Sequence, residues 1–201
     1  LWLPYINDHN PPTTTVKFAE DVTTYNIIRK STANSDLQTS LDYIAEWASN
    51  NNMLLNTKKT QLLKLTVTTP KQPDSYQLNN TAIDTSSVSK LLGVSIDSRL
   101  SFSAHVDDIV SRTSYKLYTM RRLRRLGAAE KCLMTFYKAH ILSVITYASP
   151  AWSSLITDGS MKQLEQIQRK ALKIISPDQS YNENLVSLCL PLIELLLDDK
   201  N

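Results

Sequence analysis

Two acidic residues, Glu20 and Asp21, lie side by side between two runs rich in β-branched residues. Two neighbouring carboxylates held at one turn can act together in catalysis, which makes the pair a candidate site. The flanking runs, TTTVKFA at 13–19 and VTTYNII at 22–28, predict two strands joined by a two-residue turn at the acidic pair. A catalytic carboxylate pair, an altered remnant of one and an ordinary polar turn all stay open from these residues.

A second chemically distinctive stretch is RRLRR, which places four arginines within five residues: Arg121, Arg122, Arg124 and Arg125. The surrounding segment 112–173 holds twelve Lys and Arg against three Asp and Glu, a charge of 12 − 3 = +9. The remaining residues hold ten basic and sixteen acidic residues, so they carry −6. This asymmetry predicts a surface for a polyanion. The alternative is a solvated helix end whose cations complement the helix dipole.

Composition excludes several classes of protein. The chain of 201 residues is 42% hydrophobic and 20% charged, which is typical of a globular protein. Its three glycines lie far apart, so neither a dinucleotide-binding motif nor a P-loop is present. Cys132 and Cys189 are predicted to be reduced and buried, and no zinc motif is present. The reduced cysteines are typical of a protein in cytoplasm or nucleus. The longest apolar run, 133–148, is interrupted by Lys138 and His140, so we expect no membrane span.

The elements that must position these residues fall into two parts. A helix is predicted at 35–48 from apolar residues recurring every three or four positions, and strands at 61–68 and 90–97. Gly93 lies inside the last of these strands, where a glycine marks a bulge or a close backbone approach. The fold class is therefore α+β, with residues 1–102 mixed and the rest helical.

Residues 103–201 show helical periodicity throughout. Three long helices are predicted in this part, at 105–126, 130–148 and 159–175. Four of its aromatic residues are interpreted as core or interface residues rather than as platforms for bases: Tyr115, Tyr118, Tyr147 and Trp152. The apolar tail at 187–197 is expected to pack back on these helices, to face a partner, or to be cut short.

In their order along the chain, these motifs resemble the C-terminal part of the reverse transcriptase (RNA-directed DNA polymerase) of non-LTR, LINE-like retrotransposons. The matching stretches are YIND at 5–8, KFAED at 17–21, W....NM.LN..KT at 47–60, KLLGVSIDSRLSFSAHV at 90–106, and three helical stretches at 116–127, 136–154 and 166–175. The resemblance implies part of a right-hand polymerase. Residues 1–102 would be a partial palm with the FAED hairpin and the primer-grip strand, and residues 103–201 a helical thumb and connector.

The resemblance also implies roles for individual residues. Glu20 and Asp21 occupy the positions of the family's metal-binding pair, which holds Mg²⁺ for two-metal nucleotidyl transfer. Glu20 replaces the aspartate that is the family's principal ligand, and Asp21 matches the second. Lys59 matches the family's lysine near the dNTP triphosphate, where it acts as a proton donor or charge partner. A plain polar turn and a solvated lysine are the alternatives.

Contacts with nucleic acid follow from the same comparison. Leu92 and Gly93 match the primer grip, where the backbone approaches the primer end closely, and the alternative is a plain β-bulge. The thumb match makes the RRLRR arginines candidates for contact with the sugar–phosphate backbone. The implied partners are an RNA template, a DNA primer and dNTP.

The family's other metal-binding aspartate and its fingers would lie ahead of Leu1. We therefore expect this chain, as a fragment, to have no polymerase activity by itself. Two other interpretations stay open: a non-catalytic remnant that binds nucleic acid, and a helical interaction protein or relic with no selected activity.

Overall fold

The computed structural model describes residues 10–27, 35–66 and 75–198, which fall in two compact units, Leu1–Ser86 and Ser87–Asn201. The predicted α+β class is confirmed. The YIND motif at 5–8 lies outside the described residues. The predicted division at residue 102 into palm and thumb stays a prediction.

The first unit begins with an antiparallel hairpin of β1 (Thr14–Phe18) and β2 (Asp21–Tyr25), followed by α1 (Ser35–Asn50). The hairpin is attached to α1 by hydrogen bonds from the Thr13 backbone N–H and hydroxyl to Ser40 Oγ, at 3.0 and 2.8 Å. Ser40 is fully buried, so these bonds satisfy a hydroxyl that has lost its water. Both predicted strands and the predicted helix are confirmed.

Four very short strands complete the described part of the first unit. They are β3 (Gln61–Leu63), β4 (Gln77–Leu78), β5 (Thr81–Ala82) and β6 (Asp84–Ser86), with β3 parallel to β6 and β4 antiparallel to β5. The strand predicted at 61–68 ends earlier than expected, and its last two residues lie outside the described ones. A small core of Leu41, Tyr76 and Leu78 joins α1 to β4.

The second unit opens with a hairpin of β7 (Val88–Leu91) and β8 (Val94–Asp97), in which Leu91 pairs with Val94. The prediction of one continuous strand at 90–97 is therefore wrong. Leu92 and Gly93 form a two-residue turn with φ of 47° and 88°. Positive φ at both central positions is the sign pattern of a type I′ turn, whose twist matches that of the flanking strands. The chain therefore reverses where a bulge was expected.

Helices form the rest of the second unit. They are α2 (Ser103–Arg125), α3 (Glu130–Phe136), α4 (Ser143–Ile145), α5 (Asp158–Ile175), α6 (Tyr181–Ser187) and α7 (Ile193–Asp198). A π-helical segment, Tyr137–Leu142, makes α3 and α4 nearly continuous. The three predicted long helices are confirmed. Their apolar faces, together with Val94 from β8, form one core cluster.

The C-terminal tail is attached to this helical core. Leu190, Ile193 and Leu197 are buried in the core cluster, so the tail packs back on the helices, one of the three outcomes considered above. The backbone N–H of Ile193 also donates to Glu165 of α5 at 2.8 Å.

The two cysteines do not fit their prediction. Both are free thiols, but both are exposed, so the expectation of burial is wrong. Cys132 lies on the solvent side of α3, whereas its neighbour Leu133 lies on the core side. Cysteine's apolar character favours burial on average, but position on the helix decided the matter here.

The turn between β8 and α2 depends on Asp97. Its carboxylate accepts hydrogen bonds from the backbone N–H groups of Arg99, Ser101 and Phe102 at 3.0, 3.2 and 2.7 Å, and from the Ser101 hydroxyl at 3.1 Å. The turn needs this support because Leu100 and Phe102 both adopt positive φ. Partial burial alone would raise the pKa of Asp97, but these hydrogen bonds outweigh it and hold the pKa below its usual 3.8.

We predict that Asp97→Ala lowers the free energy of unfolding by about 2 kcal/mol near neutral pH. Because the folded pKa is lowered, the carboxylate's contribution is present above pH 3.8 and is lost as pH falls through the folded pKa. Asp97→Asn keeps the shape of the side chain but never carries its charge. Its stability difference from wild type, measured by urea unfolding, should therefore shrink in acid. Asp107→Asn, an exposed carboxylate on α2, is the control and should change stability by less than about 0.5 kcal/mol. A difference that stays constant with pH would contradict this assignment.

Candidate functional site

The acidic pair sits at the tip of the β1–β2 hairpin, one residue out of the predicted register. Phe18 pairs with Asp21, so the two turn residues are Ala19 and Glu20, and Asp21 is the first residue of β2. The predicted turn at Glu20–Asp21 is corrected accordingly. Ala19 has φ of 50°, a conformation that strains a residue with a Cβ. Glu20 and Asp21 are both exposed.

Glu20 and Asp21 have the ligand chemistry that Mg²⁺ prefers. Two adjacent carboxylates supply oxygen ligands, and Mg²⁺ is commonly held by one or two carboxylates together with substrate phosphates. Within the described ranges, no group of three or more His, Cys, Asp or Glu residues is arranged to hold a metal ion. Glu20 and Asp21 therefore fit as two ligands of a site that needs further oxygens from substrate or from other protein residues.

Lys59 lies in a turn organised by Asn56. The backbone N–H of Lys59 donates to the backbone and side-chain oxygens of Asn56, at 3.0 and 3.2 Å. The Lys59 side chain is exposed. No hydrogen bond or ion pair among the described residues joins it to Glu20 or Asp21. The motif at 47–60 that contains Lys59 also shapes the chain, since Asn52 adopts the positive φ of 55° where the chain leaves α1.

The hairpin tip at Leu92–Gly93 is fixed by Tyr147. The Tyr147 hydroxyl donates to the backbone oxygen of Leu92 at 2.9 Å. A Cβ on Gly93 would lie 3.3 Å from Cε1 of the same ring. Gly93 is thus required twice, by its positive φ and by the ring that covers it.

Tyr147 is held in turn by the buried core. Its backbone oxygen accepts from Nε1 of Trp152 at 3.0 Å, and Trp152 is fully buried. The Trp152 ring meets His105 edge-on, with centroids 5.2 Å apart. His105 Nδ1 accepts from the backbone N–H of Ser95 in β8 at 3.4 Å. A chain of contacts therefore runs from the hairpin tip through the helices and back to the hairpin.

The surroundings of His105 lower its pKa and so favour the neutral imidazole. Burial is the main cause that lowers its pKa, and the charges of Lys90 and Arg112 add to it against the opposing effect of Asp108. Sequence patterns placed Trp152 in the core correctly. They did not reveal that Tyr147, which is half-exposed, bonds the hairpin tip.

We predict that Gly93→Ala destabilises the chain by about 2–3 kcal/mol, from the positive φ and from the contact with Tyr147. Gly127→Ala is a matched control, because Gly127 has nearly the same φ, 85°, with nothing within 4 Å of its added Cβ. It should lower the free energy of unfolding only through the positive φ of the backbone, by about 1 kcal/mol. Equal losses in urea unfolding would show that the Tyr147 ring does not restrict Gly93.

The RRLRR arginines divide into two groups. Arg124 lies on the side of α2 that carries the buried Leu117 and Met120, and its guanidinium donates to the backbone oxygen of Ile175 at 2.7 Å. It thus satisfies an end carbonyl of α5. The other three, Arg121, Arg122 and Arg125, are exposed, and none of them forms an ion pair with the described residues.

The chain is similar in sequence to RNA-directed DNA polymerases of transposable elements. One relative is the probable RNA-directed DNA polymerase from transposon X-element of Drosophila melanogaster, 28% identical over 164 residues, which are 79% of this chain and 18% of the relative. Another is the RNA-directed DNA polymerase from mobile element jockey of the same fly, 27% identical over 151 residues, 72% of this chain and 16% of the relative. The resemblance to reverse transcriptases of non-LTR retrotransposons is confirmed.

This similarity has a defined extent. The chain spans less than a fifth of the length of these two relatives. No family model and no solved structure matches it. In the part of the chain that the structure describes, no helix is long and apolar enough to cross a membrane.

Proposed function

We propose that this chain is a segment of a retrotransposon RNA-directed DNA polymerase, comprising the rear of the palm and a helical thumb. The observation that carries the proposal is the similarity to two such polymerases over 79% and 72% of the chain. The α+β first unit and the helical second unit are compatible with it. Palm and thumb roles, substrates and partners belong to the proposal.

The reaction joins the primer 3′-oxygen to the α-phosphorus of a dNTP, breaks the bond from that phosphorus to pyrophosphate and releases the proton of the primer hydroxyl to solvent. A bound Mg²⁺ would neutralise charge and favour loss of that proton. Asp21 and Glu20 would hold the ion, since they are adjacent, exposed and of the right ligand chemistry. A hairpin tip suits this role because paired strands limit the movement of the carboxylates.

Glu20 weakens this site relative to an aspartate. Glutamate is one methylene longer, and catalytic groups must be placed to within about 0.5 Å. The strained φ of Ala19 fixes the turn, so the backbone has little freedom to retract the longer side chain. We therefore infer that Glu20 lowers the catalytic rate of any polymerase that contains this segment.

The remaining roles concern substrate and nucleic acid. Lys59, exposed on a turn fixed by Asn56, would place its ammonium group beside the dNTP triphosphate. The Leu92–Gly93 tip, held by Tyr147, would contact the primer end through its backbone. The exposed arginines at the end of α2 would contact phosphates of the RNA template and DNA primer.

A non-catalytic role in nucleic-acid binding is the second candidate. The charge of +9 on segment 112–173 favours it, because cations alone confer sequence-independent affinity for phosphates. This role would persist in a chain that performs no chemistry.

Primer extension tests the proposal. The 201-residue chain, given an RNA template, a DNA primer, dNTPs and Mg²⁺, is expected to incorporate nothing. A jockey polymerase whose matching segment is replaced by this chain should incorporate dNTPs, and Glu20→Asp should raise its rate by about a hundred-fold. Asp21→Asn is the negative control. If the hybrid enzyme that carries Glu20→Asp folds but extends no primer, the polymerase assignment fails.

A further inference from the structure

The solvent-facing side of α2 carries a row of aromatic and cationic side chains. Tyr115, Tyr118, Arg122 and Arg125 occupy positions i, i+3, i+7 and i+10, which form one stripe along a helix. We call these four residues the Tyr–Arg stripe. It extends about 15 Å along the helix axis, at 1.5 Å per residue.

The two tyrosines are exposed, so of the two places predicted for them, core or interface, the core is excluded. Their exposed fractions are 74% for Tyr115 and 52% for Tyr118. The core side of α2 is instead formed by Thr113, Leu117 and Met120. Neither tyrosine side chain forms a hydrogen bond with the described residues. Both rings are therefore accessible to solvent and are not engaged by hydrogen bonds of their hydroxyl groups.

The arginines of the stripe are equally unengaged. Arg122 and Arg125 are exposed, and within the described residues neither is paired with a carboxylate. Arg124, the residue before Arg125, instead donates a hydrogen bond to the Ile175 backbone oxygen and so stabilises the fold. Two solvated guanidinium groups thus follow directly after two solvated rings on the same stripe.

We propose that the Tyr–Arg stripe binds single-stranded nucleic acid, with bases stacked on Tyr115 and Tyr118 and phosphates on Arg122 and Arg125. The chemistry fits because unpaired bases stack on aromatic rings while cations follow the backbone. A duplex buries its base faces and offers only phosphates to the stripe. The proposal rests on the proposed function, in which the occupant is the unpaired part of the RNA template.

A protein partner would be recognised differently. An acidic protein surface would pair with the arginines but would not need two tyrosines exposed in line with them. Sequence-tolerant stacking also predicts similar affinity for RNA and DNA single strands, since neither stacking nor phosphate contact requires the 2′-hydroxyl.

The test uses the whole 201-residue chain and fluorescence anisotropy. The probes are an unstructured RNA of about twelve nucleotides, a DNA of the same sequence, and that RNA annealed to complementary DNA. Tyr115→Ala with Tyr118→Ala is expected to weaken binding of both single strands by about a hundred-fold, leaving the salt dependence unchanged. The matched Tyr115→Phe with Tyr118→Phe keeps both rings and should bind within about threefold of wild type.

The arginines give a separate readout. Arg122→Ala with Arg125→Ala should reduce the slope of log affinity against log salt by about 1.4 for single strands. Lys58→Ala with Arg99→Ala, two exposed cations outside segment 112–173, is the charge control and should leave it unchanged. All these side chains are exposed, and circular dichroism verifies folding of each variant.

The outcomes separate the two proposals. The stripe proposal is overturned if the chain binds the RNA–DNA duplex but neither single strand. It is also overturned if replacing both Tyr115 and Tyr118 with alanine leaves single-strand affinity unchanged. In either case the polymerase proposal still stands. Failure to bind any of the three probes overturns the stripe and also the proposed contacts of the exposed arginines with nucleic acid, while primer extension by the hybrid enzyme tests the polymerase assignment separately.

Discussion

Replacing Gln168 with leucine is expected to destabilise the chain by about 3 kcal/mol, the first of the two largest effects that we predict. Gln168 is fully buried on α5. Its side-chain oxygen accepts from the hydroxyl of Tyr137, and its Nε2 donates to the Tyr181 hydroxyl at 3.2 Å and to the Pro191 backbone oxygen at 2.9 Å. One amide thus joins the π-helical segment, α6 and the C-terminal tail.

The physical reason is the asymmetry between made and unmade hydrogen bonds. Leucine fills a similar volume but leaves Tyr137 and the Pro191 oxygen without partners, and each unsatisfied buried group costs about 1–3 kcal/mol. Burial, together with the nearby Tyr181 and Glu165, raises the pKa of Tyr137 far above its usual value. Its hydroxyl therefore keeps its proton and still needs an acceptor. The hydrogen bonds of Gln168 therefore contribute to stability as one coupled network.

Urea unfolding of the full chain measures this effect. Gln166→Leu is the matched control, because it makes the same substitution at an exposed position of the same helix and should change stability by less than about 0.5 kcal/mol. Tyr137→Phe combined with Gln168→Leu should lose less than the sum of the two single changes, because both partners of one bond are removed together. Additive losses would contradict a coupled network.

Replacing Trp152 with alanine is expected to cost about 3–5 kcal/mol, the second large effect. Trp152 is fully buried, packs edge-on against His105 and donates its indole N–H to the Tyr147 backbone oxygen. The substitution leaves a large cavity and also frees Tyr147, which fixes the hairpin tip at Leu92. We therefore expect a functional consequence beyond stability, namely faster amide hydrogen exchange at the β7–β8 hairpin.

Trp152→Phe separates packing from the hydrogen bond. It keeps most of the ring volume and removes the donor, so it should cost about 1–2 kcal/mol. Tyr147→Phe removes only the hydroxyl bond to Leu92 and should increase exchange at the hairpin tip with little loss of global stability. Unchanged exchange at the tip in Trp152→Ala would show that the core does not hold the hairpin.

The long helices were predictable because their apolar faces recur with helical period over many residues. Leu164, Ile167, Ala171, Leu172 and Ile175 indicated α5 from sequence, and all five are buried. Helical spacing on α2 also indicates that Arg124 faces inward, because it lies four residues after Met120 and seven after Leu117, which are both buried. Counting from buried positions would have separated it from its three exposed neighbours.

The hairpins were less predictable because the turn residues are atypical. Leu92–Gly93 lacks the Asn or Asp that marks a type I′ turn, so KLLGVSID gave one apolar run instead of two strands. Ala19 likewise adopts a positive φ that its residue type does not indicate, which shifted the acidic turn by one position. In both cases the fold imposes a backbone conformation that local propensity does not favour.

The buried polar residues were the least visible. A glutamine such as Gln168 usually faces solvent, and only the meeting of three elements around it shows why it is enclosed. For the tyrosines of the stripe, the sequence left core and interface positions open, and only the structure shows that both rings are exposed.

Our central proposal is that this chain is a nucleic-acid-binding segment of a reverse transcriptase, and the salt dependence of its affinity for an RNA–DNA hybrid tests it most directly. Anisotropy titrations of the 201-residue chain should give log affinity falling linearly with log salt. Replacing Arg121, Arg122 and Arg125 with alanine should lower that slope by nearly one for each phosphate that the chain no longer neutralises. Absent binding, or affinity independent of salt, would contradict the claim.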